Sequence, residues 1–265
     1  MVPSRPRALG CSLVTASIVD KLLSDTPAFQ QDPAGHPECW PLEEPVLRLI
    51  AQQVDERSTT LETGAGWSTV TFASAGSKHT TVVPFAAEAK AIKRYCAENG
   101  IDTDQIDFYT QPSQRVLPGL EPTALDLVLI DGSHAFPSPQ IDWFYTAFRL
   151  KVGGVLIVDD THLWTGNVLK QFLRAEPEWR LRNDVPGKSA VFVKEAETDE
   201  HKNWDRQPYV LRRSRPLQLA MRARGAVRLA REGDLAGIVQ RLRGERGLTH
   251  TGEAGQRQRG AAASP

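Results

Sequence analysis

Leu61-Glu62-Thr63-Gly64-Ala65-Gly66-Trp67-Ser68-Thr69 decides how this chain is read, together with two later stretches that end in a similar way. These are Leu125-Asp126-Leu127-Val128-Leu129-Ile130-Asp131-Gly132-Ser133-His134 and Val152-Gly153-Gly154-Val155-Leu156-Ile157-Val158-Asp159-Asp160-Thr161-His162. Each is an apolar run that stops at an acid or a glycine turn, as a buried parallel strand does where its carboxyl end meets a ligand crevice. In the first stretch, Gly64 and Gly66 allow positive φ and a close approach of backbone to ligand, and Ser68 or Thr69 can cap a helix that starts there. Glu62 at the strand end would turn a carboxylate toward a cationic or hydroxyl-rich ligand group. An ordinary strand–turn–helix corner shows similar glycines. The dinucleotide fingerprint does not fit, because its third glycine is missing at the required spacing.

A helical segment over about residues 137–150 separates Asp131 from Asp159 and Asp160. Strands joined by one right-handed crossover often lie side by side, which brings these three acids near one point. Clustered carboxylates repel one another unless a cation or protons intervene, and oxygen donors suit Mg, Ca or Mn. Asp131, Asp159 and Asp160 are therefore candidate ligands of a divalent metal; turn and capping roles are the plain alternative. His134 and His162 stand just past the strand ends, and a histidine titrates near neutral pH. Both are candidate catalytic bases, with His162 favoured because it follows the acid pair closely.

The order Glu-x-Gly-x-Gly-x-Ser-Thr, Ile-Asp-Gly-Ser-His, Gly-Gly-Val-Leu-Ile-Val-Asp-Asp-Thr resembles the class I S-adenosylmethionine-dependent methyltransferases over about residues 45–195. Within that class it is most similar to the metal-dependent O-methyltransferases of the catechol, caffeoyl-CoA and macrolide-sugar type. The resemblance implies a Rossmann-like, doubly wound α/β fold with a mostly parallel seven-stranded sheet and a C-terminal antiparallel hairpin. It implies S-adenosylmethionine as cofactor, held by Glu62, Gly64, Gly66, Ser68, Thr69 and Asp131, with Mg or another divalent cation beside it. Gln111-Pro112-Ser113-Gln114-Arg115-Val116-Leu117-Pro118 resembles the segment after the third strand of catechol-type enzymes, whose serine and glutamine face the adenine; that carries over to Ser113 and Gln114.

Asp159-Asp160-Thr161-His162-Leu163-Trp164-Thr165-Gly166 is similar to the caffeoyl-CoA pattern Asp-Asn-Thr-Leu-Trp-Asn-Gly, with one residue inserted and Asp for Asn; the macrolide-sugar enzymes use an Asp-Asp pair. The expected acceptor is a small hydroxylated molecule, a sugar, polyketide or phenolic. One departure stands out: family members usually end the second strand with an acid that holds the ribose hydroxyls, yet His79-Thr80-Thr81-Val82-Val83 runs into Pro84-Phe85 with no acid before Glu88. Glu62 and Glu88 are the substitutes. Trp143 and Trp164 either wall the acceptor pocket or pack in the core. Two further function classes compete with methyl transfer. A methyltransferase fold kept as a binding or scaffold module is favoured by the missing ribose acid, and a nucleotide-dependent oxidoreductase is disfavoured by the incomplete glycine fingerprint.

Periodicity and punctuation place strands near 59–63, 79–83, 106–109, 126–131 and 154–159, helices near 67–75, 86–99, 137–150 and 165–175, and a closing hairpin from 179–184 and 189–194. Pro33, Pro37, Pro41 and Pro45 break residues 27–45 into an irregular arm after a short helix near 16–24, and residues 46–57 read as a helix leading into the first strand. The expected organisation is an N-terminal arm over 1–45, a methyltransferase domain over 46–195, and a linker with a basic, partly helical or disordered tail over 196–265. Cysteines at 11, 39 and 96 suit neither a disulfide framework nor a zinc site, so a reducing cytoplasm is expected.

No apolar run approaches the roughly 20 residues of a membrane span. Net charge is zero overall, but Arg206 to Pro265 holds 13 arginines and 4 acids, a net of +9 that leaves −9 for the rest. Leu217 to Arg243 places apolar residues at mostly helical spacing between arginines, which suits a solvated helix or docking on an anionic membrane face, an acidic partner or the chain's own acidic domain. No nucleic acid is expected, since the tail has no pattern of stacking aromatics. Oligomeric state is open, a homodimer being one option.

Overall fold

The computed structural model describes residues 9–32, 34–185, 187–199, 202–231 and 233. Its centre is a pair of strands with little polarity on either face: β6 (Leu125–Ile130) and the end of β7 (Leu150–Val158), labels that follow chain order. Such strands need cover on both sides, and alternation divides it. Leu127 and Leu129 join one buried cluster, with Leu47 and Ile50 of α2 (Glu44–Gln53) and Val70 and Phe72 of α3 (Trp67–Ser74). Val128 and Ile130 join the other, with Leu169 and Leu173 of α7 (Trp164–Leu173).

Around them stand β3 (Thr59–Thr63), β4 (Lys78–Val82), β5 (Ile106–Tyr109), β8 (Trp179–Val185) and β9 (Ser189–Lys194), with α4 (Ala86–Glu98), α5 (Ser113–Val116) and α6 (Ser138–Ala147) between strands. The seven-stranded sheet has the order β5-β4-β3-β6-β7-β9-β8. Its first five strands pair in parallel, while β9 runs antiparallel to both β7 and β8. The expected mixed sheet with its closing hairpin is the one found.

The N-terminal segment is more ordered than its prolines suggest. Helix α1 spans Leu9–Asp25, longer than the short helix expected, and packs against α2 and α3. Ile18, Val19 and Leu22 are buried there, with Phe29 and Leu42 of the arm in the same cluster. Two short strands, β1 (Gln30–Gln31) and β2 (Pro37–Glu38), pair in the arm. The apolar residues of α1 explain the difference: Ile18, Val19 and Leu22 are buried in the cluster that α2 and α3 build.

The chain divides into two compact units, with the boundary after Tyr209. Helix α8 (Pro208–Arg231) leads into the second and carries seven arginines and no acid. Its Leu217, Leu219, Met221 and Val227 are exposed. The C-terminal part of the expected tail helix, and the Gly/Ala/Gln/Arg end, lie outside the described residues. No helix among the described residues is long and apolar enough to cross a membrane.

Candidate active site

A crevice forms where the sheet changes direction: the chain leaves β3 for β4 on one side, while β6 lies on the other. The registers Thr63↔Ile130 and Ile130↔Val158 bring three strand ends to one level. Asp131 N–H donates to Thr63 O at 3.0 Å, and Asp159 N–H to Ile130 O at 2.9 Å. Gly64 follows with φ +89°, and a Cβ there would fall 2.2 Å from the Asp131 carbonyl oxygen. Glycine is thus required by two touching strand ends, before any ligand is considered. A cavity of about 980 Å³ opens above them, at the upper end of the usual range for small-molecule sites.

Gly64, Gly66 and Ser68 line one bank of this cavity, and Ser113 and Gln114 line it from α5. Glu62 and Thr69, expected beside the cofactor, do not line it. The Glu62 side chain is buried below the turn, accepting from Ser68 Oγ at 2.6 Å, Thr69 Oγ1 at 2.5 Å and Thr81 Oγ1 at 2.8 Å. His79 Nε2 lies 3.1 Å from the same carboxylate, and its ring stacks on Phe72. Thr69 Oγ1 also accepts the Gly66 N–H at 3.0 Å. Glu62 is therefore a structural acid that ties the glycine turn to α3.

Of the two substitutes for the missing ribose acid, only Glu88 lines the cavity, and burial pushes its carboxyl above the usual range. Asp142 of α6 is fully buried. Burial pushes its carboxyl up, while the hydroxyls of Ser113 and Thr63 pull it down. Trp143 belongs to the core, edge-on to Phe172 at 5.0 Å between ring centres. Trp164 is exposed beside Phe136.

The other bank carries charge. Asp131, Asp159, Asp160, His134 and His162 all line the cavity, and so does Lys188. Asp160, in the left-handed region at φ +48°, is the hub. His134 Nε2 lies 2.9 Å from its Oδ2, Lys188 Nζ donates to its Oδ1 at 2.7 Å, and His162 Nδ1 is 3.6 Å away. The bond from His134, helped by Lys188, holds the Asp160 carboxyl well below the usual carboxylate range against the effect of burial. Asp131 is pushed well above that range by burial and by the charges of Asp159 and Asp160. Burial raises Asp159 as well, although Ser189 and Lys188 oppose it.

The expected metal trio is thus redistributed. Asp131, His134 and Asp160 each offer one atom within 4.8 Å of the others. Asp159 instead accepts a bond from Ser189 Oγ and faces Lys188 Nζ at 3.8 Å. The group does not fit a divalent ion as it stands, since a lysine ammonium already neutralises its most acidic carboxylate. Between the histidines, His134 is the better held: its ring pairs with Asp160 and its carbonyl accepts Thr165 Oγ1 at 2.8 Å.

Lys188 escaped the sequence reading, though a signal existed. A closing strand antiparallel to β7 starts beside the carboxyl end of β7, so the turn before Ser189 had to arrive at the acids. The arm was missed too. Cys39, Trp40, Pro41, Leu42 and Glu43 line the cavity, Gln30 Nε2 donates to Ala65 O at 2.9 Å, and Trp67 Nε1 donates to Pro27 O at 3.0 Å.

Residues 61–161 match the family described as Methyltransferase domain. Over that stretch the chain is similar to methyltransferases. No curated protein matches the sequence. Among solved structures, cofactor-bound Rv0187 from MTB aligns at 15% identity with a TM-score of 0.51, over 75% of this chain and 93% of that one. A Corynebacterium glutamicum protein aligns at 13% identity and a TM-score of 0.51, over 71% and 92%. The O-methyltransferase TomG from Streptomyces achromogenes, solved with SAM, aligns at 13% identity and a TM-score of 0.49, over 72% and 92%. At these identities the likeness establishes the fold alone.

Proposed function

We propose that this domain transfers a methyl group from S-adenosylmethionine to a hydroxyl oxygen of a small acceptor, a sugar, polyketide or phenolic, with His134 as the base. The observation that carries the reading is a single cavity with the Gly64–Gly66 turn on one bank and the His134–Asp160 pair on the other. When bound, S-adenosylmethionine supplies a methyl group on a sulfonium, which departs as the neutral thioether. Gly64, Gly66 and Ser68 hold the cofactor against the turn, Ser113 and Gln114 face its base, and Glu88 takes its ribose hydroxyls. His134 accepts the acceptor's proton as the oxygen bonds to the methyl carbon and the carbon–sulfur bond breaks. Asp160 fixes the His134 ring and stabilises the imidazolium that forms. Residues 46–195 with the N-terminal arm make up the working unit, and the arm's Cys39–Glu43 stretch shapes the acceptor side.

Calorimetric titration with S-adenosylmethionine and with a nicotinamide dinucleotide separates methyl transfer from redox chemistry. Binding of the dinucleotide alone overturns the proposal. The activity test is formation of S-adenosylhomocysteine across a panel of hydroxylated acceptors. His134→Gln should lower the rate by about 100-fold or more while leaving cofactor affinity unchanged. A folded His134→Gln protein of full activity would move the base to His162, and absence of any product with all acceptors would favour the scaffold reading.

A further inference from the structure

Lys188 is held in place from both ends. Its carbonyl accepts the Thr161 N–H at 2.7 Å and Thr161 Oγ1 at 3.0 Å, which fastens the hairpin turn to the segment just after the acid pair. The next residue, Ser189, is fully buried and bonds to Asp159 through its hydroxyl. From this anchored backbone the ammonium reaches Asp160 Oδ1 at 2.7 Å and lies 3.8 Å from Asp159 Oδ2, at the cavity wall. A solvated lysine would gain little by such ordering, because an exposed pair offsets its entropy cost only weakly. Here 31% of the Lys188 side chain is exposed, against 14% for Asp160 and 3% for Asp159. Burial favours an uncharged lysine, yet the three acids outweigh it and hold Lys188 in its charged form.

We infer that Lys188, carried on the closing hairpin, is the cation of this acid cluster and stands in place of a divalent metal. Mg demands near-ideal geometry at about 2.0–2.1 Å from each oxygen and keeps several waters. An ion on Asp160 Oδ1 would therefore press against an ammonium that already occupies that oxygen, and like charges repel. The inference deepens the methyl-transfer reading and rests on it only for one consequence. An acceptor hydroxyl beside His134 would meet a Lys188 N–H, which stabilises the oxygen as its proton passes to the imidazole. The proton ends on His134 and Lys188 keeps its own.

The test is Mn2+ binding to the full chain, followed by electron paramagnetic resonance, for the wild type, Lys188→Met and Lys188→Arg. The wild type and Lys188→Arg should take up no stoichiometric Mn2+ at millimolar concentration. Lys188→Met, with the cluster's charge uncovered, should bind at least about tenfold more tightly. Stoichiometric binding by the wild type, at an affinity equal to that of Lys188→Met, overturns the inference. Should Lys188→Met fail to fold, the wild-type melting temperature decides: equal values in EDTA and in Mg2+ support the lysine, and a clear rise with Mg2+ overturns it. Cofactor affinity is measured separately by calorimetry, so a failure of S-adenosylmethionine to bind sinks the functional reading and leaves the assignment of the cation standing on the metal data.

Discussion

The two banks of the cavity settle their buried charge at different ranges along the chain. On the cofactor bank, Glu62 is satisfied by Ser68 and Thr69, 6 and 7 residues ahead, and by Thr81 on the neighbouring strand. On the acid bank, Asp160 is met by Lys188, 28 residues on, and Asp159 by Ser189, 30 residues on. The first balance is complete once β3, α3 and β4 are in place. The second is complete only when β9 pairs with β7, because only then do Lys188 and Ser189 join His134 at the acids. Desolvation raises an isolated carboxyl on either bank, so the difference lies in where the compensating donors come from.

The largest expected effect is where the banks touch. Gly64→Ala would put a Cβ 2.2 Å from the Asp131 carbonyl oxygen at a φ that L-residues rarely adopt, whereas Gly66→Ala meets only the flexible Gln30 amide, at 3.4 Å, with an extended backbone. Gly64→Ala should cost more than about 3 kcal/mol, since the strain of a left-handed non-glycine residue adds to a backbone clash. In a domain of this size that lowers Tm by about 10 °C. Gly66→Ala should stay within about 0.5 kcal/mol. Thermal melts of the two proteins check the contrast, and equal losses would show that the strand ends separate easily.

A second contrast divides the two glutamates. Glu88→Gln should weaken S-adenosylmethionine binding by about tenfold, or 1.4 kcal/mol, because a hydroxyl loses a charged acceptor. Its Tm should not fall, since the substitution relieves a carboxyl that burial opposes. Glu62→Gln should do the reverse and lower Tm first, because three hydroxyl donors and a histidine converge on that carboxylate. Calorimetry and melts on both variants settle the assignment. A Glu88→Gln protein with wild-type affinity would place the ribose elsewhere.

What the sequence made legible follows the same division by range. The three apolar runs are local patterns, and each ends within a residue of its strand in the structure, so the sheet and the convergence of Asp131, Asp159 and Asp160 on one cavity could be read directly. Gly64 could be read as special, though the contact that demands it belongs to the neighbouring strand end. Glu62 looked like a ligand group because its position gives no sign that Ser68, Thr69 and Thr81 all turn inward. Lys188 and the arm's Gln30 act across 28 and 35 residues, and no spacing rule carries that far.

The smallest expected effect concerns Asp142, the acid behind the cofactor bank. It is fully buried and, unlike Glu62, has neither carboxylate oxygen in a well-formed hydrogen bond among the described residues, the Ser113 and Thr63 hydroxyls standing nearby. Burial raises its pKa more than the Ser113 and Thr63 hydroxyls lower it. A carboxyl whose folded pKa lies above its unfolded value contributes stability below the unfolded pKa and loses it as pH rises through the folded one. Asp142→Asn removes that dependence with almost no change of shape. The variant should therefore melt at the same temperature as the wild type near pH 4 and above it near pH 8. An unsatisfied buried group costs on the order of 1 kcal/mol, so the gap at the higher pH should be about 2–4 °C. A gap that is constant with pH would mean that the Ser113 and Thr63 hydroxyls satisfy Asp142 as fully as Ser68, Thr69 and Thr81 satisfy Glu62.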